Sequence, residues 1–329
     1  MTKLTRRGFM AAGTATLALP ALHTSVSAQA AYPSRPVRIV VPYPAGGQTD
    51  GIARAFGDYL TRSLGQTFVV DNKAGGGGVL GVTEVKRAAP DGYTILCTIS
   101  SSLIQNRASV KDLPYDPEKD LIYLGSTTGG GGPLVMSEKI GVNNLKEFLE
   151  FARKVDKVNF GAYGVGSTPH MVIGTLAKQY GFKYEAIQYR GEAPMWADVA
   201  AGTLHGAYGS YAAAAPVIDS GRGKLIAVVG SRLSTHPNVP TIVEQGASGG
   251  FYDTRPFTAF AVPTGTPKEI VDKLSGLIAK GGADSKVKTM LTNFLLNDPH
   301  DMAETNRRFK DDTKIILELM NELGVKPEK

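Results

Sequence analysis

The sequence predicts an α/β protein made of largely parallel sheets flanked by helices. Short β-branched runs alternate with helix-period runs from residue 31 to the end, the pattern of strands joined by crossover helices. A chain of 329 residues, 42% hydrophobic and 20% charged, is long enough for two domains and ordinary enough to fold. No fixed-period repeat runs through it, and its 39 glycines follow no collagen period.

In chain order, Val37–Val41 reads as a strand and Asp50–Leu64 as a helix, with Ile52, Phe56, Tyr59, Leu60 and Leu64 on one face. Phe68–Val70 and Thr94–Ile99 read as strands, separated by a glycine-rich turn and a short helix. A helix is expected over Leu145–Lys154, a strand over Lys157–Phe160 and a helix over Met171–Tyr180. Tyr184–Gln188, Leu225–Val229 and Phe257–Val262 read as strands. Pro194–Ala201, Lys268–Lys280 and Met302–Leu323 read as helices, the last long and amphipathic. Gly129–Gly132 and Gly246–Gly250 sit where a chain could cross between two lobes.

The first thirty residues read as a targeting segment. Thr5-Arg6-Arg7-Gly8-Phe9-Met10 is a twin-arginine signal, Ala11 to Leu22 is apolar, and small residues allow cleavage after Ala28 or Ala30. The apolar stretch is too short to span a bilayer well, and no later run reaches about 18 apolar residues. A soluble periplasmic protein is expected, with no cysteine near the cleavage zone for a lipid anchor. Lys3, Arg6 and Arg7 account for three of the 36 basic residues, leaving 33 against 30 acidic ones. That balance argues against nucleic acid or anionic lipid as a partner. The single cysteine, Cys97, excludes an internal disulfide and a cysteine zinc cluster. His170, His205, His236 and His300 lack metal-ligand spacing and suit structural or surface roles.

Two enzyme templates fail on context. Gly76–Gly81 fits G-x-G-x-x-G, but residues 72–75 separate it from the strand core, whereas a phosphate turn follows its strand at once. Gly246–Gly250 fits G-x-S-x-G but follows a helix-like segment, where a nucleophile elbow needs a strand.

Two loops suit anions better. The strand Val37–Val41 runs through Pro42-Tyr43-Pro44-Ala45-Gly46-Gly47-Gln48-Thr49-Asp50 into a helix. The strand ending near Phe160 runs through Gly164-Val165-Gly166-Ser167-Thr168-Pro169-His170 into another. Glycines let the backbone approach a ligand, and the helix starts offer free N–H groups at a positive dipole end. Thr168 is expected as the N-cap, with Pro169 at the first helical position. Neither loop holds lysine or arginine, so neutral donors are expected: Thr49, Thr168 and the N–H groups beside Gly46, Gly47 and Ser167.

Val41–Asp50 resembles the opening signature of the Bug (TctC-type) solute receptors, the periplasmic binding proteins of tripartite tricarboxylate transporters. The likeness continues through Val69–Gly78, Ala88–Thr94, Leu113–Pro117, Gly166–His170, Tyr189-Arg190-Gly191, Pro237–Thr241 and Val262–Pro267. The resemblance implies a two-lobed periplasmic binding protein fold, lobe 1 formed by residues 31–130 and 235–329 and lobe 2 by 131–234. It also implies a carboxylate pincer made of the two loops. Tyr43, Gly46, Gly47, Thr49, Asp50, Gly166, Ser167, Thr168 and His170 belong to that pincer. Ser100, Ser102 and Asn106 match a cleft-lining region, and Tyr189, Arg190 and Ser210 fall in further cleft segments. His205 and Gly209 stand where many relatives carry aspartate, so both of those acids are absent. An acid there would suit a ligand ammonium and repel a second carboxylate, so its absence argues against an amino-acid ligand and leaves room for a wider acid; with two gripping loops, a dicarboxylate is expected. The expected protein is a monomer without metal or cofactor that passes its ligand to membrane permease subunits. The alternatives are a cofactor-binding oxidoreductase built on Gly76–Gly81, and a subunit that presents ligand to a membrane kinase.

Overall fold

The computed structural model describes residues 32–129, 131–254 and 256–327. The twin-arginine segment lies outside them. The first sheet takes β1 (Val37–Val41), α1 (Gln48–Leu64), β2 (Phe68–Asn72), α2 (Val79–Lys86), β3 (Thr94–Ile99), the short α3 (Asn106–Ser109) and β4 (Leu121–Thr128). The second takes β5 (Gly131–Ser137), α4 (Leu145–Lys154), β6 (Val158–Ala162), α5 (Thr168–Tyr180) and β7 (Tyr184–Gln188). It continues through α6 (Glu192–Ala201), β8 (Gly206–Tyr208), α7 (Tyr211–Asp219) and β9 (Gly223–Gly230). The chain then returns to the first sheet with β10 (Phe257–Pro263), followed by α8 (Lys268–Lys280), α9 (Ser285–Asn293) and α10 (Met302–Glu322).

The strand orders are β2-β1-β3-β10-β4 and β7-β6-β8-β5-β9. In each sheet four strands run one way and one runs against them: β10 against β3 and β4, and β5 against β8 and β9. The reversed strand is in both cases the one arriving from the other sheet. The first crossing is Gly129–Gly131, between β4 and β5. The return runs through residues 231–256 and stays tied to the second sheet by the Val228–Thr241 bridge. Gly132 must be a glycine at the first crossing, because a Cβ there would lie 2.3 Å from the Tyr208 ring.

Parallel strands covered on both faces read as near-continuous apolar runs, as β1 does. Val37, Ile39 and Val41 pack with Phe56 and Leu60 of α1 and Leu274 and Ile278 of α8. Val40, on the other face, joins a core with Leu96, Leu103, Leu134, Phe148, Phe160 and Met320 that runs through both sheets. Trp196, Val199 and Val217 of α6 and α7 cover the remaining face of the second sheet. Helix α10 starts beside the first sheet, where Ser126 bridges His300, and ends against α5, where Glu322 pairs with Lys178 at 2.9 Å. Its apolar stripe, Phe309, Ile316 and Met320, is buried. Among the described residues no helix is long and apolar enough to cross a membrane.

The sequence pattern does not predict β4, β5, β8, α7 or α9. Strand β5 opens Gly-Gly-Pro, which argues against a strand locally. It is tolerated because Pro133 pairs only with β9, beyond the last β8 partner, Leu134 with Tyr208.

Candidate functional site

Ligands of parallel α/β sheets bind in the crevice outside the carboxyl ends of the strands. Among the helices that start beyond those ends are α1 after β1, α5 after β6, α6 after β7 and α7 after β8. Their N-caps are Gly47, Ser167, Gly191 and Ser210. The N-cap of α5 is thus Ser167, one residue before the expected Thr168, and Pro169 is the second helical residue.

Both pincer loops are held by the same device. In the first, Gly46 takes the left-handed conformation (φ 86°) and donates its N–H to Asp50 Oδ2 at 2.9 Å. Arg54 Nε donates to the same oxygen at 2.9 Å, and Asn72 Nδ2 to Oδ1 at 3.0 Å. Burial alone would raise the Asp50 carboxyl, but Arg54, the Gly46 N–H and Asn72 hold it below the usual aspartate value. In the second loop, Gly166 (φ 74°) donates its N–H to His170 Nδ1 at 2.9 Å. An accepting Nδ1 requires the proton on Nε2, which lies 3.2 Å from Tyr184 Oη. Burial lowers the His170 pKa and so favours this neutral form. Asp50 and His170 are both the third residue of their helices, and each grips the glycine four positions back.

The pins change which donors are free. The N–H groups of Gly46 and Gly166 are consumed, and that of Ser167 goes to Gly164 O at 3.0 Å. The expectation that the N–H groups of Gly46 and Ser167 face a ligand is therefore corrected. Donors without intrahelical partners are instead the N–H groups of Gln48, Thr49 and Asp50 in α1, and of Thr168 and His170 in α5. Thr49 and Thr168 are buried at these helix starts.

Two hydroxyls, one per loop, are buried without a hydrogen-bond partner: Tyr43 Oη and Ser167 Oγ. Burial pushes the Tyr43 phenol up to about 12, although the Ser102 and Thr98 hydroxyls lie near it. Tyr163, which opens the second loop, has its phenol raised well above the ordinary value, by burial first and then by Glu192, Tyr208 and Tyr43. Buried polar atoms are almost always paired; among the described residues nine side-chain atoms are not, and these two are the ones that lie in the two loops.

The remaining expected residues divide. Ser100 is buried. Ser102 bonds Thr98 Oγ1 at 2.6 Å and its own strand end, and Asn106 holds Gly77 O and Tyr115 Oη at 3.1 Å each, so both brace the wall. Tyr189 turns away, with its hydroxyl on Asp198. Arg190 is exposed and has no ion-pair partner among the described residues. The Gly76–Gly78 turn packs under Tyr43 and Ser102; a Cβ on Gly78 would lie 2.9 Å from Ser102 Cβ.

Sequence reasoning missed Glu192. Its carboxylate receives the Ser210 N–H at 3.1 and 3.2 Å and the Ser210 hydroxyl at 2.6 Å. A Cβ on Gly209 would lie 3.2 Å from Glu192 Cδ. A side chain at position 209 would thus meet the carboxylate that α6 supplies. The sequence signal was the glycine itself, paired with an acid 17 residues earlier.

Away from the crevice, a surface recess of about 540 Å³ is lined by Lys86, Arg107 and Tyr115 among others. Its cations are already paired, Lys86 with Asp120 at 2.9 Å and Arg107 with Glu118 at 2.6 Å. Among the described residues no cluster of His, Cys, Asp and Glu could hold a metal. His205 Nδ1 accepts the Asn159 N–H, and His300 Nε2 lies 3.2 Å from Thr128 Oγ1.

Residues 52–325 match the family described as tripartite tricarboxylate transporter family receptor (TctC). A protein encoded in the gbd 5′ region of Cupriavidus necator is 31% identical over 324 residues, which are 95% of each chain. The solved structure of the periplasmic binding protein BugD superposes with a TM-score of 0.82 at 29% identity, covering 90% of this chain and all of that one. A Rhodopseudomonas palustris protein solved with adipate gives 0.84 at 26% identity, with the same coverage. These are solute-binding proteins and not enzymes.

Proposed function

The chain belongs to the family of tripartite tricarboxylate transporter receptors, and from that premise we propose that it captures a small dicarboxylate in the periplasm and delivers it to membrane permease subunits. The observation that carries the ligand class is the pair of buried, partnerless hydroxyls, Tyr43 Oη and Ser167 Oγ, each beside a helix start with free N–H groups. A helix start stabilises an anion by about 0.3–2 kcal/mol. One start in each loop suits an acid at each end of the ligand, and the structural relative solved with adipate supports that class. Thr49, Thr168 and the N–H groups around Gln48 and Thr168 take the carboxylates as neutral donors, while Arg190 stays at the rim. Lobe 1 (31–130 and 235–329) and lobe 2 (131–234) close over the acid as a monomer, without cofactor. The twin-arginine segment directs export and is removed.

The test is calorimetry with adipate and with its monoamide. Losing one charge-assisted hydrogen-bonded end costs about 1.5–3 kcal/mol, a weakening of roughly ten- to a hundredfold. Equal affinities for the two compounds would refute the two-ended grip.

A further inference from the structure

The turn that ends α9 carries an inference that deepens the dicarboxylate reading and rests on it. Helix α9 lies along α1. Its N-cap, Asp284, pairs with Arg62 at 2.8 Å near the end of α1, and the residue that closes it, Phe294, packs on Gly51 near the start. A Cβ on Gly51 would lie 2.7 Å from the Phe294 ring, so the ring rests on the first turn of α1.

The next residue goes the other way. Phe294 and Leu296 pack against the first-sheet core that holds Ile52, Phe56 and Leu274. Leu295, between them, packs against the second-sheet core that holds Trp196, Val199 and Val217. Leu296 also bridges Gly129 at the first crossing, and Asn297 donates its N–H to Thr128 O at 2.9 Å.

Leu295 takes a positive φ of 53°. The Leu296 N–H reaches Leu291 O at 2.8 Å and the Leu295 N–H reaches Thr292 O at 3.1 Å. These are the paired bonds of a helix stop whose left-handed residue is usually glycine. The left-handed region strains a bulky side chain, and glycine would make the same stop without strain. What glycine lacks is the side chain that reaches the second sheet.

The turn therefore ties the start of α1 to the sheet that carries α5. In a two-ended grip the distance between those helix starts decides which chain length fits, because an acid too short or too long leaves one carboxylate off its donors. We propose that Phe294 and Leu295 are positioning residues that fix this distance, so that the α9 turn sets the chain length of the preferred dicarboxylate. Phe294 acts through the first turn of α1 and Leu295 through the second-sheet core; neither needs to touch the acid.

The experiment measures affinity for succinate, glutarate and adipate, each beside its monoamide, with Tm read on the same preparations. In the unaltered protein one length should bind about ten- to a hundredfold more tightly than the worst of the three, as expected for one unmade charge-assisted bond. Leu295→Gly suits the positive φ and keeps both bonds of the helix stop. It should narrow that spread to about threefold or less while each acid still outbinds its monoamide. Gly51→Ala, whose Cβ must displace the Phe294 ring, should narrow it too, and Leu295→Met, which keeps an apolar reach, should retain most of it. A role confined to holding α9 would move Tm and leave the spread intact. An unchanged spread in Leu295→Gly, or equal affinities for the three lengths in the unaltered protein, would overturn the inference and leave the two-ended grip standing wherever a dicarboxylate outbinds its monoamide. Dicarboxylates that bind no better than their monoamides, or no binding of any acid, would sink both.

Discussion

Asp50→Asn tests whether the first loop depends on its pin. Asp50 is 4% exposed, and its two oxygens receive donors from Gly46, Arg54 and Asn72. An amide in its place presents an NH2 either to Gly46 and Arg54 or to Asn72, so a donor meets a donor whichever way it turns. The Arg54 side chain is 55% exposed, and solvent screening limits its share to about 0–1 kcal/mol. The buried bonds from Gly46 and Asn72 to a charged acceptor add about 1.5–3 kcal/mol. A total loss of about 1.5–4 kcal/mol follows. At about 2 °C per kcal/mol, the low end for domains of 150–250 residues, this longer chain should lose about 3–8 °C in Tm. Affinity for a bound acid should fall about tenfold or more, because Gly46 is no longer fixed at its positive φ and the helix start is no longer pre-organised. Differential scanning fluorimetry and calorimetry on one preparation read both effects. A lowered Tm with unchanged affinity would show that Asp50 holds the fold and not the binding loop. An unchanged Tm would refute the energetic reasoning itself.

Two further outcomes are expected. Tyr43→Phe and Ser167→Ala remove buried hydroxyls that have no partner, so Tm should hold or rise slightly while affinity for the acid falls by about fivefold or more; a loss of Tm with intact affinity would show that these hydroxyls serve the core. His170 has its pKa depressed below the ordinary 6.5 by burial, so its contribution is complete above that value and is lost as pH falls through the folded-state pKa. Affinity should therefore hold above pH 6.5 and drop as the pH is lowered below it, and His170→Asn should flatten that dependence; affinity is the readout because His205 and His300 shift the same way and would blur Tm.

Much of this protein is decided by local chemistry. Periodicity alone places helices at Leu145–Lys154 and Lys268–Lys280 and strands at Val37–Val41 and Thr94–Ile99, with the bounds they have in the structure. The apolar stripe of α1 and the glycine-and-threonine loops ahead of α1 and α5 are equally local, because spacing on a helix and freedom of φ belong to the residues themselves. Strand β5 is not local: its Gly-Gly-Pro start becomes a strand only because β9 pairs with it. The pins fall between the two cases, since Asp50 and His170 sit four residues from the glycines they hold, yet only the folded turn shows that those N–H groups are spent. Glu192 lies at the far end. Residues 192 and 210 meet because α6 and α7, separate in sequence, pack together on one face of the second sheet. A single sequence carries no record of which helices pack together, so the carboxylate that α6 supplies to Ser210 is visible only in the tertiary structure.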